Sequence, residues 1–535
     1  MKNKIFSPII VTLIILLPLV CTTSCLDDLD RYPTNDITAD KAYDSFDGYK
    51  SVMAKVYGAY ALVGHDGPSN KPDISSGDGA SADFLRCFFN LQSLTTEEAI
   101  CTWNDAGIPD LNYTNWSSNN TFVSGMYYRS IYQITMVNEF LRESTSGKVS
   151  GRGITGNEAR EIEYFRAEAR FLRAYQYWVL LDIFGNPPFV DENTPVGKFL
   201  PPQINQKDLF NYIEGELLEI QNDLKDPKVN EYGRADKAAA WALLARLYLN
   251  AKVYTGTERY TDAITYSSKV IAESYTLKGN YEELFMADNN INNPEVILSI
   301  NYDGLKSKGY GGLTYIINAS FIRTRDDVPG IDFQEYYGMG GLGGWYGLRS
   351  RKELPARFDT ADGRNLFFGN KADVENVGEF MDGKAVAKFR NVTSTLGKPS
   401  NYDEGFADTD FPLFRLAEMY LIYAESVLRG GTGGTTTNAL IYVNKLRERA
   451  YGNTSGNFPA IDLNDILDER SREFYWEGFR RTDLIRYGLF TSGSYLWQWK
   501  GGVKNGMEVS SHLNLFPLPA TDIMANPNLK QNIGY

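Results

Sequence analysis

Two tryptophans of this sequence stand in segments where a buried ring is not expected. Trp103 lies in Thr-Trp-Asn-Asp-Ala-Gly and Trp345 in Gly-Gly-Trp-Tyr-Gly. Most of the 35 Tyr, 29 Phe and 8 Trp residues we assign to the core. An aromatic face that stays exposed offers wide apolar contact at little conformational cost, which suits the CH-rich faces of sugar rings. The loop tryptophans therefore predict a carbohydrate-binding surface, and core packing is the alternative for each of them.

Residues for catalysis or metal binding are scarce. Two histidines, His65 and His512, in 535 residues argue against a histidine-based metal site or a Ser-His-Asp triad. A glycoside hydrolase needs two carboxylates beside one sugar, but 67 acidic residues guarantee chance pairs and none stands out. The glycine-rich stretch 338–345 lacks the Lys-Ser/Thr pair and the following helix of a phosphate loop. We expect no catalysis, no cofactor and no bound metal.

The first thirty residues carry signals for export and lipid attachment. A Met-Lys-Asn-Lys start, an apolar run over residues 9–20 and small residues before Cys25 follow the order of a secretory signal peptide. The apolar run gives a helix of roughly 18 Å, too short to cross roughly 30 Å of hydrocarbon. The stretch looks like a bacterial lipobox, so we expect removal of residues 1–24 and lipid on Cys25. Cys21 is a competing lipidation site, and a secreted protein cut near Ser24 is the other alternative.

The net charge and the number of cysteines limit which ligands the protein could bind and which disulfides it could form. A formal net charge of -13 argues against binding to nucleic acid, whose phosphates are also negatively charged. After cleavage only Cys87 and Cys101 could pair, and we expect buried thiols rather than a disulfide. No later run of about 18 apolar residues occurs, so we do not expect the mature chain to cross a bilayer.

Helical periodicity dominates four separated regions and indicates the scaffold that positions the tryptophans. Apolar residues recur at three- and four-residue steps in helix pairs near 39–142, 158–224, 234–272 and 414–450. The third pair resembles a tetratricopeptide helix pair. It has small residues where the two helices would approach closely and aromatic residues in the wedge-shaped space between them. We predict a mainly α protein in which about four pairs stack as a solenoid, each burying its face on its neighbour.

Loop-rich insertions with short strands separate these pairs. They cover residues 65–124, 275–410 and 491–535, with a strand predicted at residues 296–300. Binding residues usually lie on loops carried by a rigid scaffold. We therefore predict one domain over residues 25–535, with the ligand-binding loops in 65–124 and 275–410.

Six motifs, in order along nearly the whole chain, resemble the SusD/RagB family of glycan-binding lipoproteins. They are Ser-Cys-Leu-Asp-Asp-Leu-Asp-Arg-Tyr-Pro at 24–33, Glu-Ala-Arg-Phe-Leu-Arg-Ala at 168–174 with Phe-Gly-Asn-Pro-Pro at 184–188, Gly-Arg-Ala-Asp at 233–236, Phe-Arg-Leu-Ala-Glu-Met-Tyr-Leu-Ile-Tyr-Ala-Glu at 414–425, the stretch 472–488 that contains Arg-Glu-Phe-Tyr-Trp-Glu-Gly, and Phe-Pro-Leu-Pro at 516–519 with 526–529 and 531–535. We interpret the 472–486 motif as architectural, with helical packing and an ion pair between Glu477 and Arg481.

The resemblance implies a location and a partner. A member of this family is expected to be a surface lipoprotein of the outer membrane that caps a SusC-like, TonB-dependent transporter. It would hold an oligosaccharide and pass it inward. The acidic run after Cys25 resembles the signal that sends some lipoproteins to the outer face of that membrane.

Within the family, the chain is similar to the starch-binding type, through residues 233–238, 284–289, 310–315 and 495–502. That type clamps sugar with an arc of aromatic rings and a few polar groups. The resemblance assigns glycan contact to the following residues: Asp78, Arg86, Trp103, Asn104 (or Asp105), Tyr315 and Trp345. A surface ion pair is the alternative for Asp78 and Arg86, and core packing is the alternative for Tyr315.

One position departs from the starch-binding pattern. Cys101 stands two residues before Trp103, where that type has a second tryptophan. Losing a stacking wall, on the order of 1 kcal/mol, weakens the α-glucan assignment without changing the class of ligand. Trp116 is a candidate replacement platform. The alternatives to a surface glycan-binding subunit are a helical-repeat scaffold or adhesin and, with less support, a glycoside hydrolase.

Overall fold

The computed structural model describes residues 39–64, 67–68, 72–74, 80–341 and 344–535. Two predicted functional residues, Cys25 and Asp78, lie outside the described residues. The helices are α1 (Ala39–Ala42), α2 (Phe46–Gly58), α3 (Phe84–Phe89), α4 (Ile108–Asn112), α5 (Thr121–Glu143), α6 (Ser146–Gly151), α7 (Gly156–Phe184), α8 (Gln206–Ile220), α9 (Lys237–Leu249), α10 (Ala251–Thr255), α11 (Tyr260–Ile271), α12 (Gly312–Ala319), α13 (Phe333–Tyr337), α14 (Leu416–Leu428), α15 (Thr436–Tyr451), α16 (Leu463–Phe474), α17 (Arg480–Arg486) and α18 (Ala520–Ala525).

Within the described residues, six short strands form three two-stranded antiparallel sheets. The strands are β1 (Ile100–Cys101), β2 (Val296–Ile300), β3 (Leu348–Arg349), β4 (Phe367–Phe368), β5 (Ala385–Val386) and β6 (Phe411–Arg415). β1 pairs with β3, β2 with β6, and β4 with β5. The predicted strand at 296–300 is confirmed. The helix predicted from residue 414 begins two residues later, because residues 411–415 extend to pair with β2.

Four helix pairs stack in chain order, as the periodicity predicts. α2 packs with α5, α7 with α8, α9 with α11, and α14 with α15, and each pair contacts the next. In α9 the alanines at 238–240 and 242 are fully buried, so neighbouring backbones approach closely. Asp236 begins this helix by accepting hydrogen bonds from the Ala238 and Ala239 backbone N–H groups at 2.9 and 3.1 Å. The mainly α solenoid is therefore confirmed.

A buried ion-pair network fixes the 472–486 motif, and the prediction of an ion pair between Glu477 and Arg481 was wrong. Trp476 and Gly478 have φ angles of 65° and 82°, which end α16 before α17 begins. Glu477 consequently faces Arg415 and Lys388, at 2.7 and 2.6 Å, instead of Arg481. Arg481 donates to the Asn514 carbonyl at 2.6 Å. The motif is architectural, but the ion pairs of Glu477 join distant segments rather than adjacent helical turns.

The cysteines in the described residues lie in the interior of the protein. Cys87 and Cys101 are both buried thiols, and no disulfide joins them in the described part of the chain. The Cys87 thiol donates to the Ser81 carbonyl at 2.9 Å. Among the helices of the described ranges, none is both long enough and apolar enough to span a bilayer.

Candidate functional site

A two-residue strand ladder brings the loop tryptophans together. β1 pairs antiparallel with β3, with Cys101 opposite Leu348. The residues that follow β1 therefore run beside those that precede β3, so Trp103 meets Trp345. Their ring centroids are 6.4 Å apart and their planes are tilted by 48°, and both rings stay partly exposed. Two segments far apart in the sequence thus form one aromatic surface.

The position of Trp103 is fixed by the backbone opposite it. Its indole Nε1 donates to the Tyr346 carbonyl oxygen at 2.8 Å. Tyr346 has a φ of 42°, a left-handed conformation that side chains other than glycine rarely adopt. Gly347 packs directly under the indole, where a Cβ atom would collide with Nε1. A strained backbone and a required glycine therefore hold this ring.

Tyr346 is in turn anchored by a buried charge pair. Its ring is 1% exposed, and its hydroxyl accepts a hydrogen bond from Arg325. Arg325 also pairs with Asp327 at 2.9 Å. The hydrogen bond from Arg325 lowers the pKa of Asp327, so this carboxyl stays ionised at neutral pH. Asp327 in turn accepts from the Asn370 backbone N–H at 2.9 Å, which ties the arrangement to a third segment.

Arg86 and Tyr315 form a buried floor that contacts Trp103 through the Tyr315 ring. The Arg86 guanidinium lies over the Tyr315 ring at 4.6 Å, a cation–π contact. Tyr315 meets Trp103 edge-on at 5.8 Å. Its hydroxyl donates at 2.9 Å to Asn90, in the π-helical segment Asn90–Leu94 that continues α3. Such segments recur at functional sites, and this one holds the Tyr315 hydroxyl through Asn90.

Asp83 joins the two helices that carry the floor residues. Its carboxylate accepts from the backbone N–H of Arg86, in α3, and from that of Gly312, at the start of α12, both at 2.8 Å. Burial raises the pKa of Asp83, and these hydrogen bonds oppose that rise. A Cβ atom on Gly311 would collide with Asp83, so a glycine is needed at this junction.

The predicted site residues occupy different levels of this arrangement. Trp103 and Trp345 are partly exposed, and Asn104 and Asp105 are exposed beside Trp103. Arg86 and Tyr315 are only 5% and 0% exposed. Tyr315 packs against Trp103 from the interior, and glycan contact by Arg86 and Tyr315 stays a prediction.

The sequence assigned no role to Tyr310, which extends the aromatic surface. Its ring meets Trp345 at 6.2 Å and 65°, and it meets Phe406 at 5.5 Å. Tyr310 is partly exposed, whereas Phe406 is buried. The signal that could have found it is the one that indicated Trp345, an aromatic residue beside glycines at 311 and 312. Trp103, Trp345 and Tyr310 together are called the aromatic arc.

Trp116 does not replace the missing tryptophan of the starch-binding pattern. It is 4% exposed, packs on Phe516 at 4.4 Å and donates from its indole to the Tyr535 hydroxyl at 2.7 Å. The prediction of a second platform was wrong because the C-terminal segment covers this ring. Cys101 is likewise enclosed, and burial raises the pKa of its thiol to about 12.

The geometry suits binding of an uncharged, hydroxylated ring. The aromatic arc supplies apolar faces, and Asn104 and Asp105 supply a polar rim that can bond to hydroxyl groups. In the parts of the chain that the structure describes, no three His, Cys, Asp or Glu side chains are grouped so as to hold a metal ion. The chemistry on offer is therefore stacking and hydrogen bonding.

Comparisons with known proteins agree with this architecture. The pattern of the SusD family matches residues 366–535. The starch-binding protein SusD of Bacteroides thetaiotaomicron is 37% identical over 96% of this chain and 96% of its own. A SusD-like protein of Bacteroides ovatus is 26% identical over 75% of this chain and 72% of its own.

Solved structures share the fold at lower identity. A SusD superfamily protein from Parabacteroides distasonis has a TM-score of 0.69 at 21% identity, covering 94% of this chain and 100% of that one. Surface glycan-binding protein A from Bacteroides thetaiotaomicron, in complex with laminarihexaose, has a TM-score of 0.64 at 20% identity, covering 91% and 99%. Taken with the 37% identity to a full-length relative, these findings show that the chain belongs to the SusD family.

Proposed function

We propose that this protein is a glycan-binding subunit on the cell surface that captures oligosaccharide for a SusC-like, TonB-dependent outer-membrane transporter. The observation that carries the proposal is the row of partly exposed rings Trp103, Trp345 and Tyr310, bordered by Asn104 and Asp105. Such rings contact the apolar faces of sugars while the polar rim bonds to hydroxyls. The 37% identical relative is named a starch-binding protein, which supports the same class of ligand.

The ligand is proposed to be bound without being cleaved. α-Glucan is the first candidate, because the chain is similar to the starch-binding type. The tryptophan lost at Cys101 removes one stacking face, so other linkages belong in the same test. Hydrolysis would need a proton-donating acid and a second carboxylate beside the scissile bond, and the arc is built from rings instead.

The lipid anchor is proposed to keep this surface beside its transporter. Lipid on Cys25 would hold the protein on the outer leaflet of the outer membrane. Incorporation of labelled palmitate in cells tests this directly. We expect Cys25→Ser to abolish labelling and Cys21→Ser to preserve it; the reverse pattern would move the anchor to Cys21.

Affinity electrophoresis tests the binding function. Protein lacking residues 1–24 is run through gels that contain starch, fructan, xylan or pectin. We expect retardation by one of these polysaccharides and no release of reducing sugar from it. Release of reducing sugar would replace the binding function with a hydrolase. Absence of retardation by all four, with intact folding, would favour a scaffold or adhesin.

A further inference from the structure

A polar groove, separate from the aromatic arc, is lined in part by Gly338 and Gly340, which precede Trp345 in the sequence. Its main cavity has a volume of about 430 Å³ and is lined in part by Arg323, Gln334, Gly340, Lys398, Tyr402 and Glu404. It continues into a second depression, since both share Asp332, Glu335, Val392 and Leu396 as walls. The two form one elongated concavity, called here the flanking groove.

Direct contacts connect the flanking groove with the arc. Tyr310, at one end of the arc, packs on Phe406 with ring centroids 5.5 Å apart. Phe406 belongs to the same loop as Tyr402 and Glu404. Gly340 packs closely against that loop, since a Cβ atom on it would lie 2.8 Å from the Tyr402 hydroxyl oxygen. The loop that lines the groove thus also supports Tyr310 of the arc, through Phe406.

Several polar groups of the groove have unused hydrogen-bonding capacity. Counting only partners within the described ranges, the carboxylates of Glu335 and Glu404 and the hydroxyl of Tyr402 take part in no hydrogen bond. The Lys398 ammonium lies over the Tyr402 ring at 4.3 Å. A carboxylate can accept bonds from two neighbouring hydroxyls of a sugar, and a phenol can both donate and accept.

The charge of the groove favours a neutral ligand. Its main cavity is lined by two cations, Arg323 and Lys398, and by three carboxylates, those of Asp332, Glu335 and Glu404. Arg323 and Asp332 pair with each other at 3.2 Å, which leaves more negative than positive charge unpaired. An anionic ligand such as a phosphate would be repelled, whereas a hydroxyl-rich neutral ligand would find acceptors on the groove walls.

We propose that the flanking groove is a second oligosaccharide-binding site, which holds the continuation of a glycan chain whose other end stacks on the aromatic arc. This inference rests on the proposed function. Two contiguous sites on one ligand act together, because the first contact raises the effective concentration of the chain at the second. A long oligosaccharide therefore binds more tightly than a short one of the same linkage.

Titration calorimetry with a short and a long oligosaccharide tests the proposal. The probes are maltotriose and maltoheptaose, or the matching xylo- or fructo-oligosaccharides if the gels select that polysaccharide. Glu404→Gln and Tyr402→Phe change groups on the groove wall without touching the arc. We expect about a ten-fold loss of affinity for the long probe in the double variant, and less than about a two-fold change for the short probe.

A matched variant and the pattern of loss make the outcome decisive. Glu163→Gln changes an exposed carboxylate on α7, far along the chain from the groove, and should leave both affinities unchanged. Equal weakening of both probes would overturn the second site, because the substitutions would then act on the arc. Unchanged binding of the long probe would overturn it as well. Unmodified protein that binds no oligosaccharide would instead contradict the proposed function itself.

Discussion

The indole Nε1 of Trp103 lies 2.8 Å from the carbonyl oxygen of Tyr346, 243 residues away in the sequence. This bond connects an insertion near the start of the chain with one in its second half. Because Tyr346 holds a left-handed φ of 42°, its carbonyl is directed at the ring rather than along a regular strand. The orientation of a surface ring therefore depends on a buried residue that never reaches the surface.

Removing either tryptophan of the arc should weaken glycan binding with little effect on stability. For Trp103→Ala and Trp345→Ala we expect affinity to fall about ten-fold, since each ring supplies a stacking face. Both rings are partly exposed, so the melting temperature should stay within a few degrees. Calorimetry and thermal unfolding measure the two effects. Trp241→Ala is the control, because this tryptophan on α9 is also partly exposed, and the variant should bind glycan normally. A large thermal loss with normal binding would make these tryptophans core residues.

Placing a methyl group on Gly347 should displace Trp103 from beneath. The Cβ atom of Gly347→Ala would collide with the indole nitrogen, so the ring must move and its hydrogen bond to Tyr346 is lost. We expect a destabilisation of about 1–3 kcal/mol and weaker glycan binding. Intrinsic fluorescence followed during unfolding measures the loss of stability, and calorimetry measures the affinity for glycan. Gly215→Ala, in α8, meets no atom within 4 Å and should slightly stabilise the protein without changing affinity. Wild-type affinity in Gly347→Ala would show that the ring position is not critical.

The hydroxyl of Tyr346 should matter for binding although it is buried. Tyr346→Phe removes the acceptor for Arg325, and the loss of a hydrogen bond to a charged group costs about 1.5–3 kcal/mol of unfolding free energy. We also expect lower glycan affinity, because the carbonyl facing Trp103 loses its anchor. Tyr248→Phe removes a comparable hydroxyl, which donates to Glu214 at 2.7 Å in a distant helix pair. Urea unfolding should show similar losses in both variants, with an affinity change only in Tyr346→Phe. Equal affinities would reject the anchoring role.

Acid should unfold the protein through its buried carboxylates, among which Glu469 is a clear case. Burial alone would raise the pKa of Glu469, but the guanidinium groups of Arg364, Arg472 and Arg447 outweigh it and hold the pKa at about 2. In the unfolded chain the same group titrates near about 4.3. Its stabilising contribution is therefore present above that pH and is lost as the pH falls towards 2. Urea unfolding between pH 7 and pH 3 measures the decline.

The variant Glu469→Gln isolates this contribution. It removes the charge of one of the three buried carboxylates that pair with Arg364, so we expect a loss of about 3–5 kcal/mol at pH 7. Because the variant no longer takes up a proton there, its stability should fall less steeply on acidification. Glu163→Gln, at an exposed position, should follow the wild-type curve. A variant with an unchanged acid slope would show that Glu469 does not contribute to the decline.

Local sequence patterns predict the helices, whereas contacts between distant segments decide which side chains pair and which are covered. The spans of α7, α9, α11 and α15 were predictable because a helix repeats its buried face every three or four residues. The predicted ion pair between Glu477 and Arg481 was wrong, because Glu477 pairs instead with Arg415 and Lys388, which are remote in sequence. Trp116 failed for the same reason, because its covering residues, Phe516 and Tyr535, lie at the far end of the chain.

The sequence by itself determined the helical solenoid, the loop positions of Trp103 and Trp345 and the resemblance to a family. Those features follow from periodicity, glycine content and local motifs. Only the tertiary structure decided that the β1–β3 ladder would bring the two tryptophans within 6.4 Å, that Arg86 and Tyr315 would be buried, and that Tyr310 would extend the arc. Exposure and contact depend on which distant segments pack together, and no local pattern specifies that choice.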